Sequence, residues 1–134
     1  MPRLDGLLGE RSGEALARLG PPAADRVTAS ERWLRYEGEG WSLRLRLTGS
    51  AEGERVASWT LGLAPGVRTL EAATRPAGLW PAAAPDVAAG EVEAPLVRRV
   101  LPDPAGGPDR SLTASVRGGR FVALTAFDEP PDWV

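Results

Sequence analysis

Apolar and polar residues alternate most regularly between Trp41 and Thr48. Trp41, Leu43, Leu45 and Leu47 fall on one side of the chain, and Ser42, Arg44, Arg46 and Thr48 on the other. Period two is the spacing of a strand with one buried face. The run before it, residues 31–37, is rich in Trp, Leu and Tyr and ends at the turn Gly38-Glu39-Gly40. The run after it, residues 55–63, places Ala57, Trp59, Leu61 and Leu63 on one face. Consecutive strands joined by short loops predict an antiparallel meander. Residues 96–101 form a further strand candidate. The runs 112–116 and 121–127 flank Gly118-Gly119, and two glycines between strand patterns predict a tight hairpin because both positions can take positive φ.

Helical spacing occurs twice. Leu4, Leu7 and Leu8, then Ala15, Leu16 and Leu19, lie three or four apart, with Gly6, Gly9 and Gly13 between them. Each glycine costs about 1 kcal/mol against Ala inside a helix, so two short helices are expected rather than one. The second is the better defined, with Ser12 as cap, Glu14 in the first turn, Arg18 in the last, and Gly20-Pro21-Pro22 as the stop. A later helix is expected after Pro65-Gly66, capped by Thr69, with Glu71 early, Arg75 late and residues 76–78 ending it. Residues 81–90 and 102–108 read as loops. The tail 128–134 holds Pro130-Pro131 and cannot extend a sheet. Together these elements predict an α+β fold, an antiparallel sheet with short helices on one face, in a single domain spanning residues 1–134.

The halves 1–64 and 65–127 echo each other. Leu19-Gly20-Pro21-Pro22-Ala23-Ala24-Asp25 parallels Leu79-Trp80-Pro81-Ala82-Ala83-Ala84-Pro85-Asp86, Ser42-Leu43 parallels Ser111-Leu112, and residues 55–60 parallel 120–125. Each half then reads helix, Pro-rich loop, three strands. This order, with the Gly-Pro turn and the Trp33-Leu34-Arg35-Tyr36 strand, resembles the helix-plus-meander unit of the β-lactamase-inhibitor-protein-like superfamily. That group includes tandem inhibitors and small outer-membrane assembly lipoproteins. The resemblance implies a sheet with helices on one side and an open face suited to gripping a partner. The lipidated Cys of the lipoproteins and the disulfides of the inhibitors are missing, so neither role transfers. A cone-shaped, helix-lined sheet with an apolar pocket, as in the nuclear-transport-factor-like group, is the alternative; its opening helices are longer.

Composition narrows the chemistry. The chain has no Cys and no His, which removes thiolate nucleophiles, zinc-cysteine sites and the usual neutral-pH base. Every basic residue is Arg, so Schiff-base chemistry is excluded as well. Ile, Asn and Gln are missing too. A high-GC bacterial genome accounts for the loss of Lys, Ile and Asn, and thermophilic depletion of Asn and Gln is the alternative. A net charge of −2 argues against a general nucleic-acid binder. No apolar run approaches membrane-spanning length, and the N-terminus lacks the apolar core of a leader. A complete chain of this kind belongs in the cytoplasm; one trimmed of a leader belongs in the periplasm or outside the cell.

The remaining candidates are carboxylates and arginines. Asp128, Glu129 and Asp132 read as a solvated acidic tail, and Glu37 and Glu39 as turn polarity. Asp103 and Asp109 lack the regular spacing of a calcium loop. No cofactor or metal is implied. Arg44 and Arg46 share one strand face, with Arg35 close by and Arg117 at the equivalent place in the second half. Such a stripe suits an anionic partner, and Glu37, Glu52 or Glu54 could instead neutralise it across strands. Trp41 and Trp59 belong with the leucines of the core, whereas the pattern does not assign Trp33, Trp80 or Trp133. The expected function is a non-catalytic protein-binding module using an open sheet face around Arg44, Arg46, Tyr36, Trp33 and Arg117. The rival is a small ligand-binding protein or enzyme with an apolar pocket. Oligomeric state is open.

Overall fold

The computed structural model describes residues 1–49, 53–79, 87–92, 95–101 and 110–127. Seven strands form one antiparallel sheet: β1 (Ala24–Val27), β2 (Glu31–Gly38), β3 (Trp41–Thr48), β4 (Arg55–Val67), β5 (Leu96–Leu101), β6 (Arg110–Arg117) and β7 (Arg120–Phe127). Their spatial order is β1-β2-β3-β4-β7-β6-β5. The chain therefore lays down β1 to β4 from one edge to the middle, then β5 to β7 from the other edge back. β4 and β7 meet at the centre, antiparallel. Two short helices, α1 (Ser12–Leu19) and α2 (Leu70–Thr74), complete the α+β fold, and α2 runs on into a 3₁₀ turn at Arg75–Ala77.

The register explains where the core lies. Leu34, Leu45, Trp59, Ala126 and Leu112 are successive cross-strand partners from β2 through β3, β4 and β7 to β6. Tyr36, Leu43, Leu61, Leu124 and Ala114 form the neighbouring row. All ten are buried, together with Leu4, Leu7, Ala15, Leu70, Ala73 and Ala77 from outside the sheet. Both helices thus cover the same sheet face. One cluster of buried apolar side chains is the main source of stability, since burying a large apolar side chain contributes about 1.5–3 kcal/mol.

Strands β2, β3 and β5 to β7 lie where the alternation placed them, and Gly118 and Gly119 take φ of 58° and 73° in the hairpin between β6 and β7. Thr69 caps α2 as expected, its Oγ1 accepting from the Ala72 amide at 3.1 Å.

Four expectations are corrected. Leu4, Leu7 and Leu8 are not helical: Gly6 and Gly9 take φ of 72° and 79°, and the main chain is tied elsewhere, with the Leu4 amide on the Ala77 carbonyl and the Gly9 amide on the Val56 carbonyl, both 2.8 Å. The leucines are buried without a helix because their backbone groups find these partners. Arg11, not Ser12, is the cap residue of α1, and no side chain caps it. In β4, Arg46 pairs with Ser58 while Leu47 pairs with Val56; Ala57 is the extra residue of a bulge, so Val56 takes the core position expected of Ala57. Finally, the Pro-rich loop expected between α1 and β2 contains a strand, β1, whose four residues are all exposed and so show no apolar alternation.

Trp41 is partly buried against the core, and its indole lies over Gly38: a Cβ there would meet Trp41 Cε2 at 2.2 Å and Nε1 at 2.3 Å. Gly38→Val should therefore cost about 1–3 kcal/mol through overpacking, read as a lower urea midpoint with a changed indole fluorescence. Trp59→Ala, at the centre of the five-strand row, should cost about 3–5 kcal/mol by the same denaturation measurement.

Candidate functional site

The sheet face turned away from the helices carries its own cross-strand rows. Ala24, Arg35, Arg44, Thr60, Thr125 and Thr113 form one, from β1 to β6. Arg26, Trp33, Arg46 and Ser58 form the next. Strand alternation produces this face directly: each polar residue stands between two that feed the core.

Character changes along the row. Toward the centre the hydroxyls serve one another, with Thr60 Oγ1 and Thr125 Oγ1 at 3.3 Å. Thr113 is buried, and its Oγ1 has no hydrogen-bond partner among the described residues. At the β1–β3 end Arg26, Arg35 and Arg44 are exposed. There the surface dips into an open depression of about 490 Å³, lined by Ala24, Arg26, Thr28, Trp33, Leu34, Arg35 and Arg44. Ala24 is small enough to leave the floor low between larger neighbours.

The arginines differ in how far they are neutralised. Arg46 Nη2 donates to Glu31 Oε1 at 2.8 Å, and Trp33 Nε1 donates to Glu31 Oε2 at 3.2 Å. Glu31, not one of the carboxylates expected from the sequence, is the counterion of Arg46. Arg35 approaches Glu37 at 3.4 Å, with both side chains about half exposed, a geometry that contributes little. Arg26 and Arg44 have no ion-pair partner among the described residues. Arg26 and Arg44, unpaired among the described residues, and the weakly paired Arg35 therefore line one depression with Trp33, and no carboxylate among the described residues lines it.

On the opposite side of the same corner, Arg32 locks β1 to β2. Its Nε and Nη2 reach both Asp25 carboxylate oxygens at 2.9 and 2.6 Å, and its Nη1 reaches Glu54 at 3.2 Å. This two-point fork is the strong form of an arginine–carboxylate pair. It holds the Asp25 carboxyl below its ordinary pKa, and the Arg46 hydrogen bond does the same for Glu31.

Of the residues expected at the site, the structure brings Trp33, Arg44 and Arg46 together. Tyr36 is elsewhere: it occupies the core face, buried, and its hydroxyl donates to the Gly20 carbonyl at 3.0 Å. The parity of β2 requires this, because Trp33 and Tyr36 are an odd number of residues apart. Burial raises the Tyr36 pKa. Arg117 is exposed but distant. It lies four residues along β6 from Thr113, in a strand three places from β3, roughly 13 Å along and 14 Å across by ordinary sheet spacing. Arg26 was missed because β1 was missed. A strand exposed on both faces leaves no apolar alternation to read; the structural mark of β1 is the turn that follows it, where the Thr28 amide donates to the Glu31 carbonyl at 2.8 Å. Trp80, Trp133, Glu52, Asp103, Asp109 and the acidic tail lie outside the described residues.

No group of three metal-ligating side chains occurs among the described residues, and no helix among them is long and apolar enough to cross a membrane. Fold and face together define an α+β protein whose sheet is helix-covered on one side and arginine-bearing on the other. Comparison of the chain with protein-family models, curated proteins and solved structures gives no match.

Both depressed carboxylates have folded-state pKa values below their unfolded ones, so their pairs stabilise the fold above the unfolded value near pH 4 and lose that contribution as pH falls through the folded value. Urea midpoints measured from neutral to acid pH should fall over that window. Arg46→Gln should flatten the acid limb by the Glu31 share while leaving the Asp25 share in place. Tyr36→Phe should cost about 0.5–1.5 kcal/mol through loss of the Gly20 hydrogen bond, seen as a lower urea midpoint, with the arginine face undisturbed.

Proposed function

We propose that this chain is a non-catalytic protein-binding module that grips an acidic partner through the helix-free face at the β1–β3 end. The observation that carries the reading is the grouping of Arg26, Arg35 and Arg44 with Trp33 in one open depression, with no carboxylate among its described lining residues. Arginine and tryptophan are the residue types enriched at binding hot spots, since both bring large contact area and Arg adds bidentate hydrogen bonds. A catalytic reading needs an activated nucleophile or a paired acid and base within reach of each other; Thr28 is the one hydroxyl among the described lining residues, and it is bonded to the Glu31 main chain rather than to a base. The depression is also open rather than an enclosed apolar pocket, which disfavours the small-ligand alternative.

The resemblance to tandem helix-plus-meander units belongs to the same proposal. What supports it is the order α1 then β2–β4, and α2 then β5–β7, with the last strand of each set meeting at the centre. β1 is an addition to that scheme, and it is the strand that supplies Arg26.

Affinity capture with the double variant Arg26→Glu, Arg44→Glu tests the reading, alongside each single variant, with Arg117→Glu as a control of the same charge change as either single at a distant corner. Partners held by the wild-type chain should be lost by the double variant and kept by the control. Retention of every partner by the double variant would show that the face is the wrong one. Both arginines are exposed, so folding should survive the change, and a circular dichroism melt verifies it.

A further inference from the structure

Strand β1 ends the sheet on the side of the depression. Its four residues are exposed, and no strand among the described residues pairs with its outer edge. The direction of its backbone groups follows from the ladder. The Thr28 amide donates to the Glu31 carbonyl at 2.8 Å, and Thr28 and Glu31 continue the β1–β2 register in which Arg26 faces Trp33 and Ala24 faces Arg35. In an antiparallel pair, hydrogen-bonded and non-bonded positions alternate. Ala24, Arg26 and Thr28 therefore turn their amides and carbonyls toward β2, while Asp25 and Val27 direct theirs outward. The edge offers a pair of main-chain donors and acceptors at the spacing that an added strand requires.

The side chains fix what kind of strand fits. A residue placed opposite Arg26 projects on the helix-free face in a close, non-bonded pair, the position where opposite charges interact best across strands. The next residue on that face lies beside Ala24, whose methyl leaves the way clear toward Arg35. Acidic side chains at both positions meet guanidiniums. On the other face Val27 is 72% exposed, so its opposite number gains by being apolar. Asp25 is already held by the Arg32 fork and places no demand. Self-pairing is the competing occupant: the registers centred on Arg26 and on Asp25 set like charges against each other, and the one centred on Val27 pairs the valines but sets Arg26 against Thr28, leaving the guanidinium without a carboxylate.

We infer that β1 is a docking edge for an extended segment of a partner protein that carries acidic residues at alternate positions, bound as an eighth strand. This rests on the reading of the arginine face as the binding surface and adds the geometry of engagement: main-chain bonds from Asp25 and Val27 supply affinity, and Arg26 and Arg35 supply selectivity for acids.

Amide hydrogen exchange on the full chain tests it, with a short synthetic peptide of Glu at alternate positions and Thr or Val between as the probe. On binding, exchange at Asp25 and Val27 should slow by about tenfold or more, as outward amides become hydrogen-bonded. A peptide with its edge-facing amides N-methylated, and one with Lys replacing Glu, should both fail to protect these positions. Val27→Pro removes one outward donor without touching a bond to β2 and should weaken the peptide. Binding with unchanged exchange at Asp25 and Val27, or equal binding of the N-methylated peptide, overturns strand addition while leaving the arginine face intact as a binding surface. Failure of the acidic peptide to bind overturns the inference too, and the Arg26→Glu, Arg44→Glu capture result then decides separately whether the face itself stands. Protection of Asp25 and Val27 in the free chain at high concentration, lost on dilution, would assign the edge to a second copy and equally overturn it.

Discussion

The antiparallel seam between β4 and β7 is the constraint on which the rest of the structure depends. Without it the chain makes a four-stranded and a three-stranded sheet, each with an apolar face too narrow to be covered well and two raw edges. With it, Trp59 pairs with Ala126 and Leu61 with Leu124, and the apolar rows run unbroken across five strands. Trp59, the largest side chain of the core, stands opposite one of the smallest, which lets the row keep a level surface for α1, α2 and the N-terminal leucines to pack on. The seam also costs regularity. Its pairing jumps from Gly62↔Ala123 to Val67↔Phe121, and the irregular stretch passes through Gly66 at φ 96°, where a Cβ would meet the Phe121 carbonyl oxygen at 2.8 Å. Only glycine lets the two strands stay in contact there.

The strict alternation that builds the core also determines the opposite face. Every leucine sent inward fixes a neighbour outward, and the residue types chosen change from hydroxyls near the seam to arginines toward β1. Thr60 and Thr125 satisfy each other at the seam, where no counterion is required. Toward β1 the charges stand exposed, where water screens them and a partner can reach them. A guanidinium without a counterion is tolerable at such a site because it stays hydrated; the same group at Thr113, which is buried, would lack that solvation.

Much of this was legible in the sequence, for identifiable reasons. Residues 41–48 and the Gly118-Gly119 hairpin depend on local periodicity and on the sign of φ, and local signals carried them. What failed was non-local or parity-sensitive. Leu4, Leu7 and Leu8 have helical spacing, but the Ala77 and Val56 carbonyls that hold their loop are distant in sequence, and no local pattern reveals them. The Ala57 bulge flips the inward set of β4 by one residue, which alternation alone cannot show. Tyr36 was grouped with Arg44 and Arg46 through proximity in sequence, although its place three residues after Trp33 already put it on the other side of β2. Arg26 was invisible because a strand exposed on both faces has no apolar signature.

That last failure bears on function. A short, fully exposed, charged edge strand is how sheet proteins avoid pairing with their own copies, and β1 fits that description with Asp25 and Arg26 adjacent. The protective device is selective rather than absolute, since like charges repel a copy presented in a register centred on Asp25 or Arg26, whereas a complementary set of charges is drawn in. Arg32 matters here because its fork on Asp25 and its bond to Glu54 remove the acidic member of the pair from the outer field and tie β1 down. The charges left to act at the edge are those of Arg26 and, behind it, Arg35 and Arg44. An edge that is held rigid, turns two main-chain positions outward and shows a net positive face is thereby poor at binding itself and well matched to an acid-bearing strand.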